Sequence, residues 1–280
     1  LTLYNQFHFT RQPEGIPFSI QVAGIEADRV SRDQTNLAYQ SFCRLYDHLG
    51  QTPPPIQLNI ELSIPLARGL GSSATAIVGG LLGANMLAGN PLSRQAVMEL
   101  AIAIEGHPDN VVPALIGGCQ LATQNPNGEY VLCSIPWHYD LVPILAIPNF
   151  ELSTAEARRV LPTQYSRADA IFNAAHLALL VRALESGHAE WLRTALDDRI
   201  HQPYRQSLIT GFEAVQSAAL NVGAYGLVIS GAGPTLLALT DPAHCHGVQA
   251  AIERAWSDQG LIAQVMALEL DTTGAIAQAS

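Results

Sequence analysis

Between Gly69 and Gly89 the chain reads GLGSSATAIVGGLLGANMLAG, a run of glycine and alanine that leaves a folding polypeptide few choices. A strand-like stretch, IQLNIELSI, leads toward it and stops at Pro65. The glycine turn then feeds a helix expected over Ala74–Ala88, whose small residues let neighbouring elements approach closely. A turn of this kind at a helix N-terminus gathers unpaired backbone N–H groups and so favours an anion, phosphate above all. The hydroxyls of Ser72 and Ser73 can bond phosphate, or one of them can ligate Mg2+.

Several kinds of phosphate loop share this look. Gly69-x-Gly71-x-x-Ala74 matches the dinucleotide fingerprint, which requires a βαβ unit with an acidic residue about 20 positions on. Here two helices follow in succession, the second capped by Ser93 and running to about Glu105, with no strand before about Gly117. A dinucleotide site therefore fits poorly. All 14 basic residues are arginine, which removes the Walker A lysine, the strand lysine of protein kinases and any lysine Schiff base. Neutralisation of a phosphate falls to backbone N–H groups, arginine and a bound cation.

The rest of the chain reads as mixed helix and strand. TLYNQFHF and PFSIQVAG alternate as strands, and an amphipathic helix is expected from about Asn36 to Leu49. A third short helix is expected from Asp109, and GCQLAT and YVLCSI flank Asn125-Pro126-Asn127-Gly128 as a hairpin. LVPILAIP suits a buried strand. The stretch from Ser153 to Asn221 is helical, opened by the capping box Ser153-x-x-Glu156. Two short strands surround SGAGPT, a helix runs from about Cys245 to Gln259, and IAQVMALEL is a last strand. The fold class is α+β, with one domain over residues 1–150 and a second over 151–280.

Net charge is -10 and no basic block occurs, which argues against nucleic-acid or anionic-membrane partners. Cys43, Cys119, Cys133 and Cys245 are scattered without a CxxC pair, the usage of reduced thiols in a cytoplasmic protein. No apolar run approaches the roughly 20 residues that span a bilayer, and no secretory leader is read. The first residue is Leu, and LTLYNQFHF enters at once in a strand pattern, so a segment upstream is expected.

Each remaining polar cluster has a bland reading beside a functional one. In EGHPDN, Gly106 can end a helix, Pro108 block its continuation and Asp109 cap the next. Glu99 lies opposite the apolar stripe of Val97, Leu100, Ala101 and Ile104, and solvent is its default. SGAGPT is too rich in glycine for a plain hairpin, and Pro234 costs a ladder donor, so its backbone is expected to approach something closely. His244-Cys245-His246 lacks a fourth ligand at a sensible spacing for zinc.

Together these pieces carry a resemblance. PLARGLGSSA resembles the central phosphate-loop motif of the superfamily of galacto-, homoserine, mevalonate and phosphomevalonate kinases, and SGAGPT resembles its C-terminal glycine motif. EGHPDNVVPALIGG and LSTAEARRVLP resemble its homoserine-phosphorylating branch, in matching order across nearly the whole chain.

The resemblance implies an N-terminal domain like domain 2 of ribosomal protein S5, followed by a ferredoxin-like domain. It implies transfer of the ATP γ-phosphate to the hydroxyl of L-homoserine, with Mg2+, and it admits a homodimer. Carried onto this chain, it implies that Arg68, Gly69, Leu70, Gly71, Ser72, Ser73 and Ala74 hold the triphosphate and that Asn36 meets the adenine. Mg2+ is implied at Ser72 or Ser73 with Glu99, the glutamate ten residues before Asp109. Asp109, with Asn110 beside it, is implied as substrate ligand, acting on the ammonium or as a general base. Arg158 and Arg205 are implied at the carboxylate, with Arg199 as a substitute for Arg205. The family's N-terminal motif, of ANLGPGFD-like character, has no counterpart and is expected upstream of Leu1. A kinase of mevalonate-type alcohols and a non-catalytic ATP-binding relative stay open on these residues.

Overall fold

The computed structural model describes residues 1–279, and its chain divides into two compact units. The first comprises residues 3–66 and 71–134 with the tail from Asp271. Its frame is a three-stranded sheet of β1 (Gln6–Arg11), β2 (Ser19–Gly24) and β3 (Ile56–Leu62) in the order β1-β3-β2. The central β3 pairs antiparallel with β1 and parallel with β2. Strict alternation in IQLNIEL turns Ile56, Leu58, Ile60 and Leu62 into the core.

Helices α1 (Leu37–His48), α2 (Ser72–Leu87), α3 (Arg94–Glu105) and α4 (Val111–Ile116) complete this unit, with a hairpin of β4 (Cys119–Gln124) and β5 (Tyr130–Ile135). The tight packing expected of α2 is present. Gly79 and Gly83 lie against the rings of Phe7 and Phe9, and a Cβ on Gly80 would stand 2.2 Å from the carbonyl oxygen of Ala38 in α1. Ser93 caps α3 and Asn125 closes the hairpin turn, each as its sequence suggested. The tail from Asp271 returns to this unit: Ala275 donates its N–H to the carbonyls of Ala114 and Leu115, and Arg94 grips Leu115 and Ala275.

The second unit holds residues 135–270, together with Leu1, Thr2 and the short stretch Ala67–Leu70. Its sheet contains β6 (Val142–Pro148), β7 (Gly226–Ile229), β8 (Leu236–Thr240) and β9 (Ala263–Ala267), ordered β7-β8-β6-β9 with every pairing antiparallel. Between β6 and β7 run α5 (Thr154–Arg159), α6 (Arg167–Ser186), α7 (Ala189–Ala195), α8 (Gln202–Arg205) and α9 (Phe212–Asn221). α10 (Cys245–Ser257) links β8 to β9. Strand order and helix placement are ferredoxin-like. Phe212 and Val215 of α9 and Val248, Ile252 and Trp256 of α10 pack on Ile144, Leu227 and Leu236 of the sheet.

One boundary differs from the sequence reading. The division falls between Ser134 and Ile135 rather than near residue 150, because β6 is a central strand of the second sheet. The stretch Ala67–Leu70, numerically inside the first half, clusters with the second unit through its contacts to the SGAGPT loop.

Two glycine substitutions test the packing. Gly80→Ala should destabilise by about 1–3 kcal/mol, since the added methyl meets backbone that cannot yield. Gly247→Ala in α10, where a Cβ meets nothing within 4 Å, should stabilise by about 0.5–1 kcal/mol. Thermal denaturation of both variants checks the contrast in sign.

Candidate active site

In the first unit the site is built on the N-terminus of α2. Gly71 is its N-cap with φ 68°, so the chain reaches the helix through a left-handed residue and the first-turn N–H groups at Ser72 and Ser73 have no side-chain cap. Ala74 is fully buried and seats the turn. The side chain of Asn110 packs on Gly71, with its Cβ 3.4 Å from where a glycine Cβ would stand. The Ser73 hydroxyl donates to Glu105 Oε1 at 3.0 Å.

Glu105, not Glu99, is therefore the carboxylate that meets a loop serine. Glu99 is exposed on α3 and accepts a hydrogen bond from Gln95 Nε2 at 2.8 Å. Six residues separate the two glutamates, which on a helix is about 9 Å of rise and 240° of rotation, so they occupy different faces. The solvent-facing pattern of Glu99 is matched by its exposure.

EGHPDN turns as expected at Gly106, which caps α3 with φ 87°, but Asn110 rather than Asp109 takes the N-cap position of α4. Asp109 is left with a side chain 77% exposed. Its Oδ2 lies 4.0 Å from His107 Nδ1, a buried atom with no hydrogen-bond partner. Sequence reasoning passed over His107. Its only signal was its place two residues before Asp109.

Asn36 is nearly buried and its side chain is committed: Oδ1 accepts from Ala38 and Tyr39, and Nδ2 donates to Ser31. The helix it caps borders a groove of about 710 Å³, lined by Leu37, Gln40 and Arg44 of α1 and by Ala103 and Ile104 of α3. Burial pushes the hydroxyl of Tyr39, another lining residue, up to about 12, with Cys43 adding to the shift.

Within the second unit, Ala67–Leu70 is braced by the C-terminal glycine motif. Ser230 Oγ donates to the Gly69 carbonyl at 2.9 Å, and the Thr235 N–H donates to the Arg68 carbonyl at 3.3 Å. A Cβ on Gly69 would come within 2.3 Å of the Ser230 carbonyl oxygen, so the close approach expected of SGAGPT is made to this loop. Arg68 is 7% exposed, and its guanidinium lies 3.3 Å from Glu151. Thr235 Oγ1, fully buried, has no hydrogen-bond partner.

The same unit brings the two implied carboxylate ligands together. Arg158 is exposed on α5, behind the Ser153–Glu156 capping box. Arg205 donates from Nε to the Ala157 carbonyl at 3.1 Å and from Nη1 to the Gly231 carbonyl at 3.0 Å. Burial lowers the pKa of Arg205 below its ordinary value; Asp198 and Tyr165 oppose that shift, and repulsion from Arg158 adds to it. Arg199, the substitute, stacks over Phe172 at 3.7 Å and lies 3.8 Å from Asp169, which separates its role from that of Arg205.

Comparison with known proteins places the chain in one family. Residues 36–118 match the family model described as GHMP kinases N terminal domain, and residues 180–258 match GHMP kinases C terminal. A homoserine kinase from Trichormus variabilis is 64% identical over 275 residues, covering 98% of this chain and 90% of that protein. One from Trichodesmium erythraeum is 61% identical, covering 99% and 90%. The crystal structure of homoserine kinase from Cytophaga hutchinsonii superposes with a TM-score of 0.87 at 26% identity, covering 96% of this chain and 87% of that one. L. major mevalonate kinase in complex with R-mevalonate shares the fold at a TM-score of 0.70 and 17% identity, covering 98% and 88%.

Proposed function

The chain belongs to the GHMP kinases, and from that premise we propose how its residues transfer the γ-phosphate of ATP to the hydroxyl of L-homoserine, giving O-phospho-L-homoserine and ADP. The observation that carries the choice of acceptor is the pair Arg158 and Arg205. Arg205 is tied to the carbonyl of Ala157, the residue before the exposed Arg158, and two guanidinium groups from neighbouring segments suit a carboxylate that both can hold. Two of Arg205's five N–H groups are committed to carbonyls, and three remain to bind. Asp109, with its side chain 77% exposed, offers an anion for the substrate ammonium.

Phosphoryl transfer asks mainly for positioning and charge neutralisation. The N–H groups at the start of α2 face the phosphates, aided by the helix dipole and the hydroxyls of Ser72 and Ser73. Gly69 and Gly71 supply the left-handed turns that bend the backbone around them. The packing of Asn110 on Gly71 supports a role for Asn110 beside the phosphates. The groove beside Asn36 supports adenine binding there, with Asn36 shaping the helix end while its own polar atoms stay occupied.

The Ser73 hydroxyl and Glu105 carboxylate are oxygen ligands of the kind Mg2+ takes, and among the described residues no group of three His, Cys, Asp or Glu forms a full protein cage. When bound, the ion would neutralise charge on the transferring phosphates. Glu99, the ligand implied by resemblance, is the competing carboxylate. A cytoplasmic location is supported by four cysteines that are all free thiols.

Coupled ADP release on homoserine, mevalonate and galactose tests the acceptor, with turnover expected on homoserine. Arg158→Lys and Arg205→Lys should each raise KM for homoserine about tenfold while KM for ATP stays nearly constant, because a point charge loses the bidentate fork. An unchanged homoserine KM in both variants would remove the carboxylate assignment. Titrating Mg2+ decides between the glutamates. Glu105→Gln should raise the Mg2+ concentration for half-maximal rate about tenfold, with Glu99→Gln near native. The reverse pattern would return the metal to Glu99.

A further inference from the structure

Arg205 ends a helix of only four residues, α8, whose N-cap residue His201 makes no side-chain cap. Such a turn has little stability of its own. What holds it lies just upstream. Asp198 Oδ1 accepts from the Ile200 N–H at 3.1 Å, and Oδ2 accepts from the N–H groups of His201 at 2.7 Å and Gln202 at 2.6 Å. The carboxylate is tied in turn to α6, because Asn173 Nδ2 donates to Asp198 Oδ1 at 2.6 Å. Asn173 Oδ1 then accepts the N–H of Arg199 at 2.9 Å.

Gln202 extends the frame to the sheet. Its Oε1 accepts from the Ile229 N–H at 3.1 Å, and its Nε2 donates to Leu196 at 3.3 Å. Every N–H from Arg199 to Gln202 is thus bound by Asn173 or Asp198, and the next turn delivers Arg205 to the carbonyls of Ala157 and Gly231. Asp198, His201, Gln202 and Arg205 line one small cavity of about 270 Å³ with Ile229 and Gly231. Burial alone would raise the Asp198 carboxyl, but the donors from Gln202, Asn173, His201 and Ile200 outweigh it and hold the group below its ordinary value.

We infer that Asp198 is a positioning residue for the substrate carboxylate: through the Asn173–Asp198 couple it fixes the turn that aims Arg205. The inference rests on the reading of Arg205 as carboxylate ligand. Asp198 contributes twice, by ordering the backbone ahead of Arg205 and by setting a negative charge near a guanidinium that burial and Arg158 disfavour. Its neutral amide would retain one acceptor oxygen for three backbone donors, and would present Asn173 with a second amide.

Steady-state kinetics separate this role from a structural one. Asp198→Asn should raise KM for homoserine about tenfold, with kcat changed less than about threefold and KM for ATP unchanged, as expected for loss of charge-assisted hydrogen bonds that orient one ligand. Asn173→Ala, which leaves the charge in place, should show the same split at about threefold and serves if the Asp198 variant folds poorly. The double variant Asp198→Asn, Arg205→Lys should bind homoserine no worse than Arg205→Lys alone, since both changes act through one guanidinium. A raised homoserine KM in Arg205→Lys with a native KM in Asp198→Asn and Asn173→Ala overturns this inference alone. Additive losses in the double variant, or equal rises in KM for both substrates, also overturn it. A native homoserine KM in Arg205→Lys overturns the carboxylate assignment and the inference with it.

Discussion

The approach of the Gly69 backbone to that of Ser230 is the contact on which the phosphate loop depends. At this distance no side chain can intervene, and the Ser230 hydroxyl closes the gap by binding the Gly69 carbonyl. The loop is held by two glycine-bearing segments meeting backbone to backbone. A loop ordered in this way can meet an anion without a cost of reorganisation.

Lysine is absent, and the arginines are divided among different tasks. Arg68, within the loop itself, is buried against Glu151 and acts as part of the scaffold. Arg94 ties carbonyls at the end of α4 and in the tail. Arg158 is exposed, and Arg205 is held by its own donors to Ala157 and Gly231. A planar group with five donors can be anchored and still bind, which an ammonium does less well.

Local signals were legible wherever a short-range rule decides the outcome. Ser93, the Ser153–Glu156 box and the Asn125–Gly128 turn each involve partners within four residues, and each formed as read. The crowding around α2 followed from glycine at 79, 80 and 83. What escaped depended on long-range choices. Whether Glu99 or Glu105 meets Ser73 turns on how α3 lies against α2, which a helical pattern leaves open. Asp109 and Asn110 are both good cap types, and Asn110 takes the N-cap position without a side-chain cap while packing on Gly71. Arg199 and Arg205 are separated by the Phe172 ring, a contact across 27 positions. His107 became visible through an unpartnered nitrogen rather than through any pattern.

The tail from Asp271 bears on how the molecule is made. Ala275 and Gly274 close against Leu115 and Gly117, and Arg94 bridges the same carbonyls. The first unit therefore keeps an open seam at the end of α4 until the segment from Asp271 has been synthesised. During translation at about 5–20 residues per second, α3 and α4 wait on the order of ten seconds for that partner. Over that interval the nascent chain leaves Leu115 and its neighbours without the cover of Gly274 and Ala275.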